Sequence, residues 1–392
     1  MKPPTIMVVA GDPSGDAIAA DLVKALGAAF DAPRFIGAGG PQMAAAGVPL
    51  SFDLTAEAVI GVSAPLKKLP RFWRLMRALK GLAAAEKPEV VILVDFQFFN
   101  GRLARAIRAA ARREPHSIWQ PRIVQYVSPQ VWASRPGRAD KLARDIDLLL
   151  CLFPFEKEWY AARTPRLRVE CVGHPMFDRF PAGVSTAEEP GGVPTVVLLP
   201  GSRLGELRRH LPVIMEAARL IEARRHVDFR LVASDEAAAA TARAFQVAGM
   251  PAVEIQTGGL AGALSGATLA IASTGTVTLE CAYFGVPTVA LYKTSLLTYQ
   301  IARRIVRVNY LAMPNLLAGE ALYPEFIQNE ATGENIANAA LQLLNDPARR
   351  VQLRLKLRAV IATLGGSGAT SRAVAAIVKL TLANAGSSCF RV

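Results

Sequence analysis

Short apolar runs alternate with longer amphipathic or alanine-rich stretches along the whole chain. The runs are too short and too rich in β-branched residues to favour helices, so they predict buried strands. A stretch of helical composition follows most of them, an order that is typical of parallel α/β layers. The clearest predicted strands are residues 5–10, 90–95, 195–199, 229–233, 268–272 and 286–291.

This pattern occurs in two halves, which a segment of different composition separates. Residues 181–194 are rich in proline, glycine and small residues, which is typical of a linker between domains. We therefore predict an α/β protein with two Rossmann-like domains, residues 1–180 and 181–364, facing a central cleft. Residues 365–392 begin with a glycine-rich hinge, and the helix that follows it could pack back on the first domain.

The charge balance narrows the classes of partner. Lys and Arg number 45 against 32 Asp and Glu, a net charge of +13, which suits nucleic acid, an anionic membrane surface or phosphorylated substrates. Nucleic acid is disfavoured because the chain has neither an RNA-binding aromatic signature nor zinc-finger spacing. Basic residues alternate with bulky apolar ones in residues 66–80. That stretch is either an interfacial membrane helix or an amphipathic helix packed on its own domain.

Cysteine usage and the apolar runs indicate the cellular environment. Cys151, Cys171, Cys281 and Cys389 are scattered without a CxxC pair, which favours reduced thiols in a cytosolic protein. The N-terminal apolar run is too short for a signal peptide, and every run is far below the roughly 18 residues that span a bilayer. We expect a soluble or peripheral protein.

The most informative stretch follows the predicted strand at residues 195–199. Pro200 and Gly201 break the strand, Ser202 is a good N-cap, and Glu206 is a plausible first-turn acid of the next helix. A helix N-terminus offers free N–H groups and a positive dipole end to an anion such as a diphosphate. The guanidinium of Arg203 would add paired hydrogen bonds to phosphate. The alternative is an ordinary turn with a solvated arginine.

A second polar loop lies in the same half. Thr274, Gly275 and Thr276 begin a helix in a way that can hold a phosphate. Glu280 comes one turn later, where its carboxylate could accept hydrogen bonds from sugar hydroxyls. Taken alone, Glu280 is more simply a solvated helix acid.

The first half offers a carboxylate at a strand end. Asp95 follows the predicted strand at 90–95, where open α/β sheets place functional residues, and it is either a helix cap or a catalytic base. The earlier loop, GDPSGD at 11–16, is not GxGxxG, and its Asp12 and Asp16 would repel a pyrophosphate. A nicotinamide oxidoreductase is therefore disfavoured.

Along nearly its whole length the chain resembles the lipid-A-disaccharide synthases, which are inverting GT-B glycosyltransferases. The matching blocks occur in the family's order and are GDPSGD, GAGGPQM, YVSPQVWASRPGR, FPFE, VGHPMFD, LLPGSR, STGTVTLE, LTYQIARRIVRVNY and MPNLLAGEALYPEFIQNEAT. One block alone would be weak, but YVSPQVW, PGSR and PNLLAG together are highly specific.

The resemblance implies the reaction and its setting. Such an enzyme moves the sugar of UDP-2,3-diacylglucosamine onto 2,3-diacylglucosamine 1-phosphate, which gives the β-1,6 lipid A disaccharide and UDP. It implies no bound metal or other cofactor and no nucleic acid. It also implies a peripheral location on the cytoplasmic face of the inner membrane of Gram-negative bacteria, against an anionic membrane surface. A homodimer is one outcome we leave open.

The resemblance also assigns roles to residues. Asp95 would be the base for the acceptor hydroxyl, and Arg203 would support the departing diphosphate. Further UDP-sugar contacts would come from Gly201, Ser202, Thr274, Gly275, Thr276, Glu280, Asn315 and Gln328. The acceptor side and the first-domain loops would contribute Asp12, Ser14, Gly15, Asp16, Asn100, Ser128 and Trp132.

Three departures from the family pattern fall in the first half. Phe98 stands where a second Asp is expected, Asp12 replaces a Glu, and Ser134 replaces a Trp. The donor blocks are intact, so these departures concern the acceptor and the chemistry. They keep two alternatives open. One is a related GT-B enzyme or UDP-sugar epimerase with another acceptor or none. The other is a non-catalytic UDP-sugar or lipid-binding protein.

Overall fold

The computed structural model describes residues 3–57, 69–112, 119–180 and 192–385. These residues form two compact units. The first comprises the described parts of Met1–Arg179 and Gly366–Val392, and the second is Phe180–Gly365. Most of the predicted linker, residues 181–191, lies outside the described residues.

The first unit is built on a seven-stranded parallel sheet. Its strands are β1 (Thr5–Ala10), β2 (Arg34–Gly39), β3 (Leu50–Asp53), β4 (Val90–Val94), β5 (Arg122–Tyr126), β6 (Leu148–Cys151) and β7 (Arg168–Cys171). Its helices up to that point are α1 (Pro13–Ala29), α2 (Pro41–Ala45), α3 (Leu54–Glu57), α4 (Leu69–Glu86), α5 (Gln97–Arg112), α6 (Val131–Ser134), α7 (Ala139–Asp145), α8 (Pro154–Arg163) and α9 (Met176–Arg179). The strand order is β3-β2-β1-β4-β5-β6-β7.

The second unit contains a six-stranded parallel sheet in the order β10-β9-β8-β11-β12-β13. The strands are β8 (Thr195–Leu199), β9 (Asp228–Ala233), β10 (Val253–Thr257), β11 (Leu269–Ser273), β12 (Thr288–Tyr292) and β13 (Glu325–Ile327). The helices are α10 (Leu204–Glu222), α11 (Glu236–Arg243), α12 (Leu260–Ser265), α13 (Thr276–Tyr283), α14 (Leu296–Ile305), α15 (Met313–Ala318), α16 (Gly333–Asn345) and α17 (Pro347–Ala362).

The central strands of both sheets are buried along their whole length. All residues of β1 and β4, and all but the first of β8, are buried. Continuous apolar strands of this kind arise because helices cover both faces of a parallel sheet. The apolar runs therefore predicted these strands correctly.

The last helix, α18 (Ala369–Ala385), belongs to the first unit, where it packs against α1. Asp178 caps it by accepting hydrogen bonds from the N–H groups of Ala369 at 3.3 Å and Thr370 at 2.8 Å. Burial alone would raise the pKa of Asp178, but these backbone donors hold it below its ordinary value. Arg372 donates to the carbonyl of Val172 at 2.8 Å. The VGHPMFD block thus anchors the C-terminal helix.

The basic stretch at 66–80 lies partly outside the described residues, which resume at Leu69. Within α4, the apolar side chains Phe72, Leu75, Met76 and Leu79 are buried in the core of the first unit. Trp73 on the same helix is 47% exposed. The described part of the stretch is therefore an amphipathic helix packed on its own domain.

Three of the four cysteines lie within the described residues. Cys151, Cys171 and Cys281 are free thiols, and Cys389 lies outside the described residues. Within the described ranges, no helix is both long enough and apolar enough to cross a membrane.

Candidate functional site

The strand order places one switch point in each sheet. In the first unit the order reverses between β1 and β4, and in the second it reverses between β8 and β11. Ligands of open α/β sheets bind beyond the carboxyl ends of the strands at such points. The loops after these four strands carry GDPSGD, Asp95, PGSR and STGT, the main motifs that the sequence singled out.

Two glycines bring the GDPSGD loop against the turn after β4. A Cβ atom on Gly11 would lie 2.1 Å from the ring of Phe96, so no other residue fits there without a shift. A Cβ on Gly15 would lie 3.0 Å from Oδ1 of Asp12 and 3.5 Å from Cβ of Asp95. The structure thus brings Asp12, Gly15 and Asp95 together at the first switch point.

Asp12 holds the shape of this loop. Its Oδ1 accepts hydrogen bonds from the backbone N–H of Gly15 at 2.7 Å and from the hydroxyl of Ser14 at 3.0 Å. It is the N-cap of α1, and Ser14 is exposed in the first turn. The carboxylate therefore satisfies helix N–H groups that would otherwise be without an acceptor.

Asp16 lies in the interior of the first unit. Its side chain is 1% exposed, and its carboxylate accepts hydrogen bonds from the N–H groups of Gly40, Gln42 and Met43 at 2.7, 2.9 and 3.2 Å. These groups form the N-terminus of α2, so Asp16 joins the GDPSGD block to the GAGGPQM block. We assign Asp16 to positioning α2, and the acceptor-side role expected for it stays a prediction.

The backbone at Asp95 has an unusual conformation. Asp95 and Phe96 have φ angles of +47° and +39°, in the left-handed region that L-residues seldom occupy. Asn100 stabilises this turn, since its Nδ2 donates to the carbonyls of Asp95 at 2.7 Å and Val94 at 3.2 Å. The Oδ1 of Asn100 is buried without a hydrogen-bond partner. Strained backbone of this kind persists only where surrounding contacts hold it, and it is frequent at functional sites.

Gln125, which sequence reasoning missed, supports the same turn from β5. Its buried Nε2 lies 3.1, 3.3 and 3.2 Å from the carbonyl oxygens of Asp95, Tyr126 and Val127. Val127 has a φ of +68°, which is unfavourable for a β-branched residue. One side-chain amide therefore gathers carbonyls from the ends of two adjacent strands. The only sequence signal was a glutamine within an otherwise apolar strand.

The YVSPQVW and FPFE blocks meet at a buried carboxyl group. Trp132 donates from its indole Nε1 to Oε1 of Glu156 at 3.0 Å, and the N–H groups of Leu152 and Phe153 both lie 3.2 Å from Oε2. Burial raises the pKa of Glu156 to about 7, although these donors oppose the shift. Ser128, also buried, lies 3.3 Å from the hydroxyl of Tyr160. Glu156 was not among the predicted site residues.

In the second unit, Gly201 shapes the loop after β8. Its φ of +108° favours glycine, and a Cβ there would lie 2.9 Å from Oε2 of Glu206. The N-cap of α10 is Arg203, one residue later than the predicted Ser202, and its side chain makes no capping hydrogen bond. Arg203 lies 3.1 Å from Glu206 and its side chain is 65% exposed. The guanidinium therefore stands in solvent at a helix N-terminus.

His210 connects this loop to the neighbouring edge of the sheet. Its ring is buried, with Nδ1 2.8 Å from the carbonyl of Pro200 and Nε2 accepting the N–H of Lys293 at 2.9 Å. Because Nε2 accepts, the ring proton lies on Nδ1 and is donated to Pro200. Burial lowers the pKa of His210, in keeping with this neutral form. Sequence reasoning did not identify this residue.

The loop after β11 supplies the second helix N-terminus. Gly275 is the N-cap of α13 with a φ of +152°, and its carbonyl accepts the hydroxyl of Thr278 at 2.7 Å. Gly275 and Thr276 are exposed, and Thr274 is half-buried. Glu280 is also half-buried, one turn into α13. The exposed groups of this loop are thus at the end where helices favour anions.

Asn315 and Gln328 are engaged within the protein. The buried Asn315 donates to the carbonyl of Tyr323 and to Oε1 of Glu325, both at 2.8 Å, and accepts the N–H of Tyr323 at 2.7 Å. Gln328 clamps the backbone of Thr294, accepting its N–H at 3.1 Å and donating to its carbonyl at 3.0 Å. Both side chains hold the loops beside the sheet edge, and the UDP-sugar contacts expected for them stay predictions.

Over the part of the chain that the structure describes, no three His, Cys, Asp or Glu residues are grouped to hold a metal ion.

Comparisons with known proteins bear on family and fold. A family model described as Lipid-A-disaccharide synthetase matches residues 6–378. A lipid-A-disaccharide synthase of Myxococcus xanthus is 36% identical over 389 residues, covering 97% of this chain and 98% of the relative.

Two solved structures are similar in fold. The calicheamicin glycosyltransferase CalG4 has a TM-score of 0.58 at 16% identity, covering 98% of this chain and 99% of its own. A UDP-GlcNAc 2-epimerase from Neisseria meningitidis, bound to UDP-GlcNAc, has a TM-score of 0.62 at 11% identity, covering 96% of this chain and 99% of its own. With the two parallel sheets, these likenesses confirm the predicted GT-B fold class.

Proposed function

The chain belongs to the lipid-A-disaccharide synthetase family, and on this premise we propose the substrates, the residues and the membrane surface of its reaction. It is a glycosyltransferase of lipid A biosynthesis that uses a UDP-sugar donor. We propose UDP-2,3-diacylglucosamine as the donor and 2,3-diacylglucosamine 1-phosphate as the acceptor, with the β-1,6 disaccharide and UDP as products. Family membership does not favour an epimerase or a non-catalytic binding protein.

Asp95 is the proposed base. Its carboxylate takes the proton of the acceptor 6-hydroxyl while that oxygen forms a bond to C1 of the donor sugar. The bond from C1 to the diphosphate oxygen breaks, and UDP leaves with the electron pair. The turn held by Asn100 and Gln125 supports this assignment, because a base must be fixed in place to act on one hydroxyl.

The leaving UDP is bound by the second unit. The N-termini of α10 and α13 follow the two strands that flank the switch point, and each exposes helix N–H groups and a positive dipole end. Arg203, whose guanidinium is 65% exposed and pairs with Glu206 at 3.1 Å, adds a positive charge that can bind the diphosphate. Glu280 is the proposed acceptor for the ribose hydroxyls. The adjacency of these two loops is the observation that carries the proposal.

The proposed location is the cytoplasmic face of the inner membrane, with the enzyme bound peripherally to an anionic surface. Lipid-linked substrates and a net charge of +13 support it. The packing of α4 on its own core means that the described part of that helix offers little apolar surface for this contact.

The decisive experiment is UDP release by the purified protein from UDP-2,3-diacylglucosamine, with and without 2,3-diacylglucosamine 1-phosphate. We expect release only when the acceptor is present, together with a disaccharide detected by mass spectrometry. Release without the acceptor would indicate hydrolysis or epimerase-type chemistry. Tight UDP binding without any release would contradict the assignment of acceptor and base while leaving the donor loops in place.

A further inference from the structure

Three large apolar side chains of helix α14 face solvent. Leu296, Leu297 and Ile301 are 68%, 71% and 49% exposed, and none of the helix's residues is buried. At about 100° per residue these three fall within roughly 140° of one face. An ordinary surface helix has the opposite arrangement, with its apolar stripe turned to the core.

The same face carries positive charge and no acid. Arg303 and Arg304 are exposed in the last turn of α14, and Arg307 is exposed just beyond it. Residues 281–319 contain no Asp or Glu at all. Exposed leucines beside arginines, without carboxylates, are the composition of helices that lie in the interface of an anionic membrane. We call Leu296, Leu297, Ile301, Arg303 and Arg304 the α14 face.

Hydrogen bonds fix the start of α14 at the sheet edge. Ser295 caps it, accepting the N–H of Thr298 at 3.2 Å, and Gln328 clamps Thr294 on both its N–H and its carbonyl. Lys293, just before, donates to the carbonyls of Gln328 and Ala331, both at 2.9 Å. The α14 face thus stands at the carboxyl edge of the second sheet, the edge that carries the proposed donor loops.

We propose that the α14 face docks on the surface of an anionic lipid bilayer. The proposal deepens the proposed function, since it gives the peripheral enzyme a membrane contact beside the loops that bind a lipid-linked donor. The five residues of the α14 face are far fewer than the roughly 20–30 residues a side of a stable protein interface. A symmetric contact between two copies would also bring like charges together. The convex outer face of a helix does not enclose a single acyl chain, whereas a bilayer surface accommodates it.

The test uses the purified full-length protein in flotation with vesicles of phosphatidylethanolamine and phosphatidylglycerol. The variant L296Q/L297Q/I301Q should partition at least about tenfold more weakly than wild type, because it lacks the apolar area that the wild-type helix buries in the bilayer. The matched control is V351Q/L355Q on α17, whose two side chains are 48% and 59% exposed, and it should float as wild type does. The variant R303Q/R304Q should lose binding on anionic vesicles and show no change on phosphatidylcholine vesicles.

Three outcomes would overturn the inference. The triple variant could float as wild type does, or the α17 control could lose as much binding as the triple variant. The third outcome is a wild-type dimer, detected by light scattering, that the triple substitution dissociates without changing flotation. Acceptor-dependent UDP release from detergent-solubilised substrates separates this inference from the proposed function. We expect the triple variant to retain that activity. If wild type itself lacks it, the proposed function fails, and the flotation result still decides the role of the α14 face.

Discussion

The loops at the two switch points differ in what determines their conformation and in how exposed they are. In the first unit, buried side chains hold the backbone: Gln125 and Asn100 gather carbonyls around Asp95, and Asp16 caps a neighbouring helix. In the second unit, glycines open the loops after β8 and β11, and helix N-termini and Arg203 stand exposed. We infer that the first edge is built to fix a reacting group and the second to receive an anion. Substitutions should therefore affect turnover at the first edge and ligand affinity at the second.

The sharpest test of this contrast is Asp95→Asn. Loss of the base should reduce turnover roughly 10²–10⁴-fold, since general base catalysis contributes about that much. UDP affinity, measured by calorimetry, should stay within about twofold, because the donor loops belong to the other unit. Near-wild-type turnover in the folded variant would remove Asp95 from the mechanism.

Arg203→Ala should have the complementary effect. The dissociation constant for UDP should rise roughly tenfold to a hundredfold, as expected for a charge-assisted hydrogen bond. The control is Arg219→Ala in the same helix, which likewise pairs with a glutamate three residues away, Glu216, but lies in the last turn, at the negative end of the helix dipole. If both variants bind UDP as wild type does, the diphosphate lies elsewhere.

Gln125→Leu tests whether a residue without ligand contact positions the base. The substitution keeps the volume and removes the N–H donors that face the carbonyl of Asp95, so kcat should fall about tenfold. KM for the donor and UDP affinity should stay unchanged. Equal losses in kcat and in the folded fraction, measured by circular dichroism, would indicate a purely structural role.

Glu156 is tested through stability alone, because the expected change is in its pH dependence and not in turnover or UDP affinity. Burial raises its pKa to about 7 in the folded protein, against an ordinary 4.5, so the native state holds the proton more tightly. The contribution of Glu156 to the free energy of unfolding is therefore fully present below pH 4.5, and it is lost as the pH rises through 7. The difference in unfolding free energy between wild type and Glu156→Gln should decrease by about 3 kcal/mol over that window.

Urea unfolding at a series of pH values measures this difference. Trp132→Phe provides a second variant, because it removes the indole donor that lowers the pKa of Glu156. The upper end of the window, which the folded-state pKa sets, should then move to higher pH, while the lower end at pH 4.5 stays in place. A difference between wild type and Glu156→Gln that stays constant from pH 4.5 to 8 would contradict the raised pKa.

The sequence was most informative where the chemistry is local. The continuous apolar runs predicted the buried strands, since a strand covered on both faces has no polar alternation. The Gly201–Arg203 turn was predicted because a glycine, a helix start and a basic residue follow one another directly in the chain. Only the capping residue was misplaced, by one position, since helix termini depend on backbone angles that a sequence pattern does not specify.

Only the tertiary structure shows which residues hold the loops of the site in position. Asp16 bonds N–H groups at least 24 residues away, and Asn315 turns inward to Tyr323, although both belong to motifs that suggested ligand contact. Gln125 gained its importance from the carbonyl of Asp95 at the end of the neighbouring strand, and His210 from the N–H of Lys293, 83 residues further along the chain.

The sequence by itself determined the α/β architecture, the motif order and the family, because these depend on local periodicity and on residue types in succession. The three-dimensional structure decided which of the motif residues face solvent and which hold others in place. It also decided that α4 turns its apolar face inward while α14 turns its own outward. Both helices combine basic and apolar residues, and only the burial of each face against its sheet distinguishes a helix that packs on the core from one that is left to bind a surface.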